Sequence, residues 1–283
     1  NLFSLILITP VIISLLSSCS IWEQLGQTPS GEMLSNYGKS PHFNQETQVF
    51  ENRIPDILEK MNERINWRLT LEYFSSNSSR RVPDKPLPEV NPPSLKAFLR
   101  PTDSTRFIWL GHSTLLMNIQ NKLVLLDPVF SNSAAPVNFL VQRFQPAVLS
   151  LEELPPIDYV VISHDHYDHL DTETLNQLRQ RQDKAPVIVS GLGNAALLAD
   201  LGYEKAVELD WNASTVVENS TVHFVECQHR SARGLFDQMR TLWGSFVVET
   251  SEGNIYFAGD TGYSPHFKEQ GERFGSFALS ILP

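Results

Sequence analysis

Ile157-Asp158-Tyr159-Val160-Val161-Ile162-Ser163-His164-Asp165-His166-Tyr167-Asp168-His169 passes from a mostly apolar run straight into three histidines and two aspartates. The apolar part reads as a buried strand, which puts the cluster on the loop leaving its carboxyl end. Side chains two apart in extended backbone point to one side, so His164 and His166 can grip a single ion. Asp168 and His169, beyond the bend, can face a second ion beside the first. Imidazole with carboxylate suits zinc, and also manganese or iron. A polar loop has no packing reason to gather these groups without a ligand.

The 283 residues are enough for one large core or two modest ones. A net charge of -10 and the lack of a long Lys/Arg run argue against nucleic acid as a partner. A pocket made locally positive by metal ions remains compatible with that acidic exterior. Only Cys227 follows Cys19, so a mature chain beginning at Cys19 forms no internal disulfide, and Cys227 reads as a small core residue.

The first residues differ in kind from the rest. Leu2 to Leu16 is apolar except for Ser4, Thr9, Pro10 and Ser14, short for a membrane span and suited to the core of a signal peptide. Leu16-Ser17-Ser18-Cys19 resembles a bacterial lipobox, in which Cys19 carries the lipid, and Ser20 resembles the class sorted to the outer membrane. The expectation is a cell-envelope protein, lipid-anchored and facing the periplasm. An ordinary cleaved signal or a buried N-terminal helix are the alternatives. With no initiator Met and no basic residue before the apolar run, the chain is expected to be clipped at its start.

Three segments are expected: a signal over 1–19, an extension over 20–91 and a catalytic domain over 92–283. The extension is polar to about residue 50. Ile57, Leu58, Met61, Ile65 and Leu69 then recur at helical spacing, and a Ser- and Pro-rich strap follows over 75–93. Strands are expected at 106–110, 114–119 and 122–126, with a tight turn at Gln120-Asn121, then at 186–190, 207–209, 221–227, 244–250 and 254–258. Asp171 can cap a helix running to about Arg181, and 194–201 reads as a short helix. Hairpins followed by strands alternating with helices indicate a layered α/β domain.

Two further strands deliver Gln228-His229 and Gly259-Asp260-Thr261-Gly262 at their ends, where open sheets place functional groups. The His-x-His-x-Asp-His cluster, His229 and this Gly-Asp-Thr-Gly turn resemble the metallo-β-lactamase superfamily. Trp109 to Thr114, Leu126 to Ser131, Cys227 to His229, Leu242 to Ser245 and Phe257 to Tyr263 are similar to its branch containing N-acylphosphatidylethanolamine-hydrolysing phospholipase D. The resemblance covers about residue 92 to the end.

It implies an αββα four-layer sandwich and two metal ions, expected as Zn2+ with Mn2+ or Fe2+ as alternatives. His164, His166 and His229 would hold the first; Asp168 and His169 would hold the second; Asp260 would bridge them. Asp168 and Asp260 are the expected catalytic carboxylates. The family also has a late histidine on the second metal. This sequence reaches Pro283 before that position, so the domain is expected to be incomplete at its C-terminus and the second site one ligand short.

Two readings stand for His112: it lines the site, or it serves a structural Gly-His turn. Asp127 either orients a ligand histidine or braces a loop. His223, about 20 Å from His229 along an extended strand, is expected outside the site. Asp165 is expected to be solvated, and His266 and His42 receive no role. The implied function is a metal-dependent hydrolase with a hydroxide shared between two ions, cutting N-acylphosphatidylethanolamine-like phospholipids at the headgroup phosphodiester. The alternatives are a lactonase or soluble-substrate phosphodiesterase of the same fold, and a catalytically inactive binding lipoprotein. Expected partners are a phospholipid or other small ester and, through the anchor, a membrane.

Overall fold

Tyr159-Val160-Val161-Ile162 forms the strand that organises the molecule. In the computed structural model, which describes residues 24–26, 31–55, 82–90, 94–136, 141–234 and 236–283, all four residues are buried. Tyr159 and Val161 enter one core cluster while Val160 and Ile162 enter another. A strand buried on both faces needs an unbroken apolar run, and this one has it. The expected signal and Cys19, the expected helix around 57–69 and part of the Pro-rich strap lie outside the described residues.

The first sheet contains β3 (Arg106–Gly111), β4 (Thr114–Ile119), β5 (Lys122–Leu126), β6 (Tyr159–Ile162), β7 (Val187–Gly191) and β8 (Val207–Leu209), side by side in that order. Its β3-β4-β5 half is antiparallel and its β5-β6-β7-β8 half is parallel. Gln120 and Asn121 both take positive φ, 50° and 66°, which lets a two-residue turn match the twist of β4 and β5. The second sheet runs β13 (Phe277–Ile281), β12 (Gly253–Phe257), β11 (Ser245–Thr250), β10 (Ser220–Val225), β9 (Ser214–Val217).

The two sheets pack face to face through alternate residues. Leu115, Met117, Val124, Leu126, Tyr159 and Val161 of the first meet Val222, Phe224, Phe246, Val248, Ile255 and Phe257 of the second. Outside the first sheet lie α3 (Thr172–Gln180), contributing Leu175 and Leu178, and α4 (Ala195–Asp200), contributing Leu197 and Leu198. Outside the second lies α5 (His266–Phe274), which packs Phe267 and Phe274 against Val225, Val247 and Tyr256. The order is helix, sheet, sheet, helix, as the resemblance implied. Asp171 caps α3, accepting from the backbone N–H groups of Glu173 and Thr174.

Some expectations need correction. Residues 31–55, expected to be polar to about residue 50, also carry core side chains. Their helix α1 (Glu32–Tyr37) and the hairpin of β1 (Phe43–Asn44) with β2 (Val49–Phe50) place Tyr37, Phe43 and Phe50 in the inter-sheet core. In packing terms the boundary at residue 92 therefore does not separate this stretch from the domain. Strands β9 and β13, and the short helix α2 (Leu95–Phe98), were not expected from sequence; β9 and β13 are edge strands with half-exposed side chains, which blurs the alternation. No helix among the described residues is long and apolar enough to cross a membrane.

Candidate metal centre

Four strand ends converge. Asp127 follows β5, Ser163 to His169 follow β6, His229 follows β10 by four residues, and Asp260 follows β12 by three. The loop after β6 turns sharply, with the N–H groups of His169 and Leu170 both bonded to the His166 carbonyl at 3.0 and 2.8 Å. That turn swings Asp168 and His169 past the two histidines before them. Gly259 makes the approach of Asp260 possible. Its φ is +57°, and a Cβ there would lie 2.5 Å from the Ser163 Cβ, so only glycine fits.

Three ring nitrogens form the first cluster. His164 Nε2 lies 2.9 Å from His166 Nδ1 and 3.1 Å from His229 Nε2, and the last two are 3.2 Å apart. Four-coordinate zinc with bonds of about 2.0–2.1 Å to nitrogen sets N···N edges of about 3.3 Å, so the triangle has the dimensions of one face of such a site. The tautomer of His164 follows from its neighbours. Ser163 gives its hydroxyl hydrogen to Asp127 Oδ2 at 2.6 Å, so its oxygen accepts from His164 Nδ1 at 2.9 Å. His164 Nε2 is left as a lone pair facing the other rings. Burial lowers the pKa of His164, His166 and His229 below the ordinary histidine value, that of His166 to about 4. All three are neutral donors at pH 7, as a metal requires.

The second cluster is built around His169. Its ring is fully buried, and Nδ1 donates to Asp127 Oδ2 at 2.6 Å. Nε2 is buried without a hydrogen-bond partner; it faces Asp260 Oδ1 at 3.4 Å and Asp168 Oδ2 at 3.9 Å. A buried nitrogen without a hydrogen-bond partner, facing two carboxylates, fits a ligand of a cation. Burial pulls the His169 pKa down, but the charge of Asp127 and its hydrogen bond, with Asp260 and Asp168 behind, outweigh burial and raise it to about 10. Asp260 spans both clusters, Oδ1 toward His169 and Oδ2 3.8 Å from His229 Nε2. Among the described residues, the donor groups placed closely enough to hold one ion are His164, His166 and His229; His164, His169 and Asp260; and His112, Asp168 and His169. His164 and His169 form a buried floor, whereas Asp168, Asp260 and His112 open toward solvent.

Each sequence-derived candidate can now be placed. Asp127 is wholly buried and braces the loop while orienting two histidines, His169 directly and His164 through Ser163. His112 faces the site, with Nε2 3.1 Å from Asp168 Oδ2. His223 pairs with Glu249 on the outer face of the second sheet, away from the cluster. His42 packs its ring against Trp211. The expectation for Asp165 is wrong. It is buried, accepting from the Ala232 N–H at 3.0 Å and the Thr241 hydroxyl at 2.8 Å, so it points inward to tie the loop to the segment after His229. Burial pushes its carboxyl up to about 6.

Sequence reasoning missed other supports. Asn52 donates its amide to the His229 carbonyl at 2.8 Å and accepts from Trp243 Nε1 at 3.1 Å, holding the first cluster from beneath. Arg233 is buried, donates to the carbonyls of Asp165 and Leu170 at 2.7 Å each, and stacks on Tyr167. No local motif signals either contact. His266 is also buried, bonded to Ser264 and 3.3 Å from the Thr261 hydroxyl, which in turn accepts from the Gln228 N–H.

This fold and donor arrangement define a metallo-β-lactamase-type protein. Residues 122–283 match the family described as the beta-lactamase superfamily domain, and the chain belongs to that superfamily. It is 39% identical over 224 residues to an uncharacterized protein of Mycobacterium tuberculosis, the match covering 77% of this chain and 57% of the relative. Over 186 residues it is 34% identical to N-acyl-phosphatidylethanolamine-hydrolyzing phospholipase D 1 of Caenorhabditis elegans, covering 62% and 52% respectively. The chain thus spans little more than half the length of these relatives. Among solved structures, a metallo hydrolase from the archaeon Ignicoccus hospitalis aligns with a TM-score of 0.48 at 17% identity, over 63% of this chain and 70% of that one.

Proposed function

We propose that this protein is a metal-dependent hydrolase cleaving the headgroup phosphodiester of phospholipids of the N-acylphosphatidylethanolamine type. The observation that carries the metal dependence is the meeting of His164, His166 and His229 nitrogens at 2.9–3.2 Å beside an orphaned His169 nitrogen. Support for the substrate class comes from the similarity to the nematode phospholipase D. His164, His166 and His229 would hold one ion, Asp168 and His169 a second, and Asp260 both. When bound, two divalent ions supply a water ionised near neutral pH and a net positive field that suits an anionic diester.

The chain's own residues do the rest. Burial keeps the three histidines of the first cluster neutral, so they present lone pairs without first shedding a proton. Asp127 fixes the His169 ring by holding its Nδ1 proton, and the same carboxylate fixes Ser163 and through it His164. Asp168 and Asp260, partly open to solvent beside the buried floor, are the accessible side of the centre. A lipid anchor at Cys19, in an envelope location, would keep the domain where its substrate is.

The test is incubation of the metal-loaded protein with N-acylated and plain phosphatidylethanolamines, lactones and a soluble phosphodiester. Release of phosphatidic acid is expected. Lactone opening alone would assign the same centre to acyl chemistry. His166→Ala and Asp260→Ala are both expected to abolish turnover.

A further inference from the structure

We propose that His266 is a positioning residue for the metal centre: through the Thr261 hydroxyl it fixes where the Asp260 turn sits against the strand end that carries His229. The inference rests on the metal-centre reading above.

The need for such a fixture comes from the sheet order. His229 leaves β10 and Asp260 leaves β12, but β11 lies between these strands, so the two exits are not ladder neighbours. They are joined instead by Gln228, the residue before His229. Its N–H donates to the Thr261 hydroxyl oxygen at 3.0 Å, and its carbonyl accepts from the Gly262 N–H at 2.8 Å. The two residues after Asp260 are thereby clamped to the residue before His229, and Asp260 Oδ2 comes to 3.8 Å from His229 Nε2.

His266 makes a further contact with the Thr261 oxygen. It is the first residue of α5, its ring is wholly buried, and Nε2 lies 3.3 Å from Thr261 Oγ1 while Nδ1 meets the Ser264 hydroxyl. Burial pushes its pKa down to about 4, so the ring is neutral, with one donor nitrogen and one acceptor. The Thr261 hydroxyl hydrogen goes to the Gly262 carbonyl at 3.0 Å, which leaves the oxygen to accept from Gln228 and from His266 Nε2. His266 Nδ1 then accepts from Ser264, and every hydrogen in this chain of bonds has an acceptor. A buried imidazole is costly to desolvate, and here both nitrogens are spent on the segment that follows Asp260.

Two amides separate this role from simple packing. Glutamine places an N–H where His266 has Nε2 and keeps the bond to Thr261; asparagine places one where it has Nδ1 and loses that bond. The experiment titrates the metal-stripped protein with Co2+, reading visible absorbance and affinity, with urea unfolding of each metal-free form. It compares wild type, His266→Gln, His266→Asn, Thr261→Val and the double variant of Asn with Val. His266→Asn should shift the visible bands and bind Co2+ about three- to tenfold more weakly, the range for one hydrogen bond, and Thr261→Val at least as much. His266→Gln should restore wild-type bands and affinity. The double variant should be no weaker than Thr261→Val, because both changes act through one oxygen. His266→Asn that binds Co2+ as wild type does but unfolds earlier would overturn positioning in favour of packing. So would equal losses for Asn and Gln, or additive losses in the double variant. Nitrogen NMR of wild type needs no variant to fold: a proton on His266 Nε2 is expected, and one on Nδ1 instead would overturn the donation on which the role depends. A wild type that takes up no Co2+ would overturn the metal-centre reading, and this inference with it.

Discussion

Replacing Asp127 with Asn alters one atom and reaches both clusters. The carboxylate is fully buried and accepts three hydrogen bonds: the Ser163 N–H at 2.7 Å, the Ser163 hydroxyl at 2.6 Å and His169 Nδ1 at 2.6 Å. An amide offers one acceptor oxygen and two donors. With its oxygen kept toward the Ser163 N–H, its NH2 meets His169 Nδ1, and His169 must move its proton to Nε2, where the site needs a lone pair. With the amide reversed, the Ser163 N–H loses its acceptor. Either arrangement costs about 1–3 kcal/mol for a mispaired buried group. Loss of the buried charge beside the His169 imidazolium adds to this in the metal-free protein, so its unfolding free energy should fall by about 2–4 kcal/mol. Supporting carboxylates of this kind are worth about 10–100-fold in metal affinity, or about 1.4–2.7 kcal/mol. The second metal equivalent should weaken by that factor, while the first, reached only through Ser163, should change less. Calorimetric titration of the stripped protein with Zn2+ against a competing chelator, with urea unfolding in parallel, reads all three quantities. An Asn variant that bound both equivalents as wild type does would refute the assignment of Asp127.

Other perturbations test separate parts of the account. Gly259→Ala should lower stability by about 1–3 kcal/mol and weaken metal binding, because its Cβ meets Ser163 and displaces Asp260; thermal unfolding and metal analysis would show it, and an unchanged variant would mean the turn is not tight. Asp165 is a carboxylate raised to about 6, so its stabilising contribution is complete below pH ~4 and lost as pH rises through about 6. Asp165→Asn should therefore match wild type near pH 4 and exceed it by about 1–3 kcal/mol at pH 8 in urea unfolding; a less stable variant at pH 8 would mean that attraction to Arg233 outweighs burial. Asn52→Ala should cost about 1–3 kcal/mol of stability by stranding the His229 carbonyl and the Trp243 indole, and a neutral outcome would detach the 31–55 segment from the domain.

The fold was legible where one physical signal dominated. A continuous apolar run ending in His-Asp-His-Tyr-Asp-His announces a doubly buried strand and its functional loop, and the turn at Gln120-Asn121 and the Asp171 cap are equally local. The contribution of Tyr37, Phe43 and Phe50 to the core was not legible, because isolated aromatics among polar residues carry no periodicity. Asp165 was misread for a related reason. Alternation along an extended segment turns it away from the histidines, but only the fold shows that Thr241 and Ala232 wait on that side. Asp127 was ambiguous in sequence because its partners lie 36 and 42 residues away. The direction in which His112 points depends on a bulge between Trp109 and Gly111 that no residue pattern marks.

Zinc content and anomalous X-ray scattering from crystals of the metal-loaded protein test the central claim most directly. The account predicts two ions per chain, one bonded to His164, His166 and His229 and the other to Asp168 and His169, with Asp260 touching both. Ions bound elsewhere, or none within bonding distance of the three converging imidazoles, would contradict it.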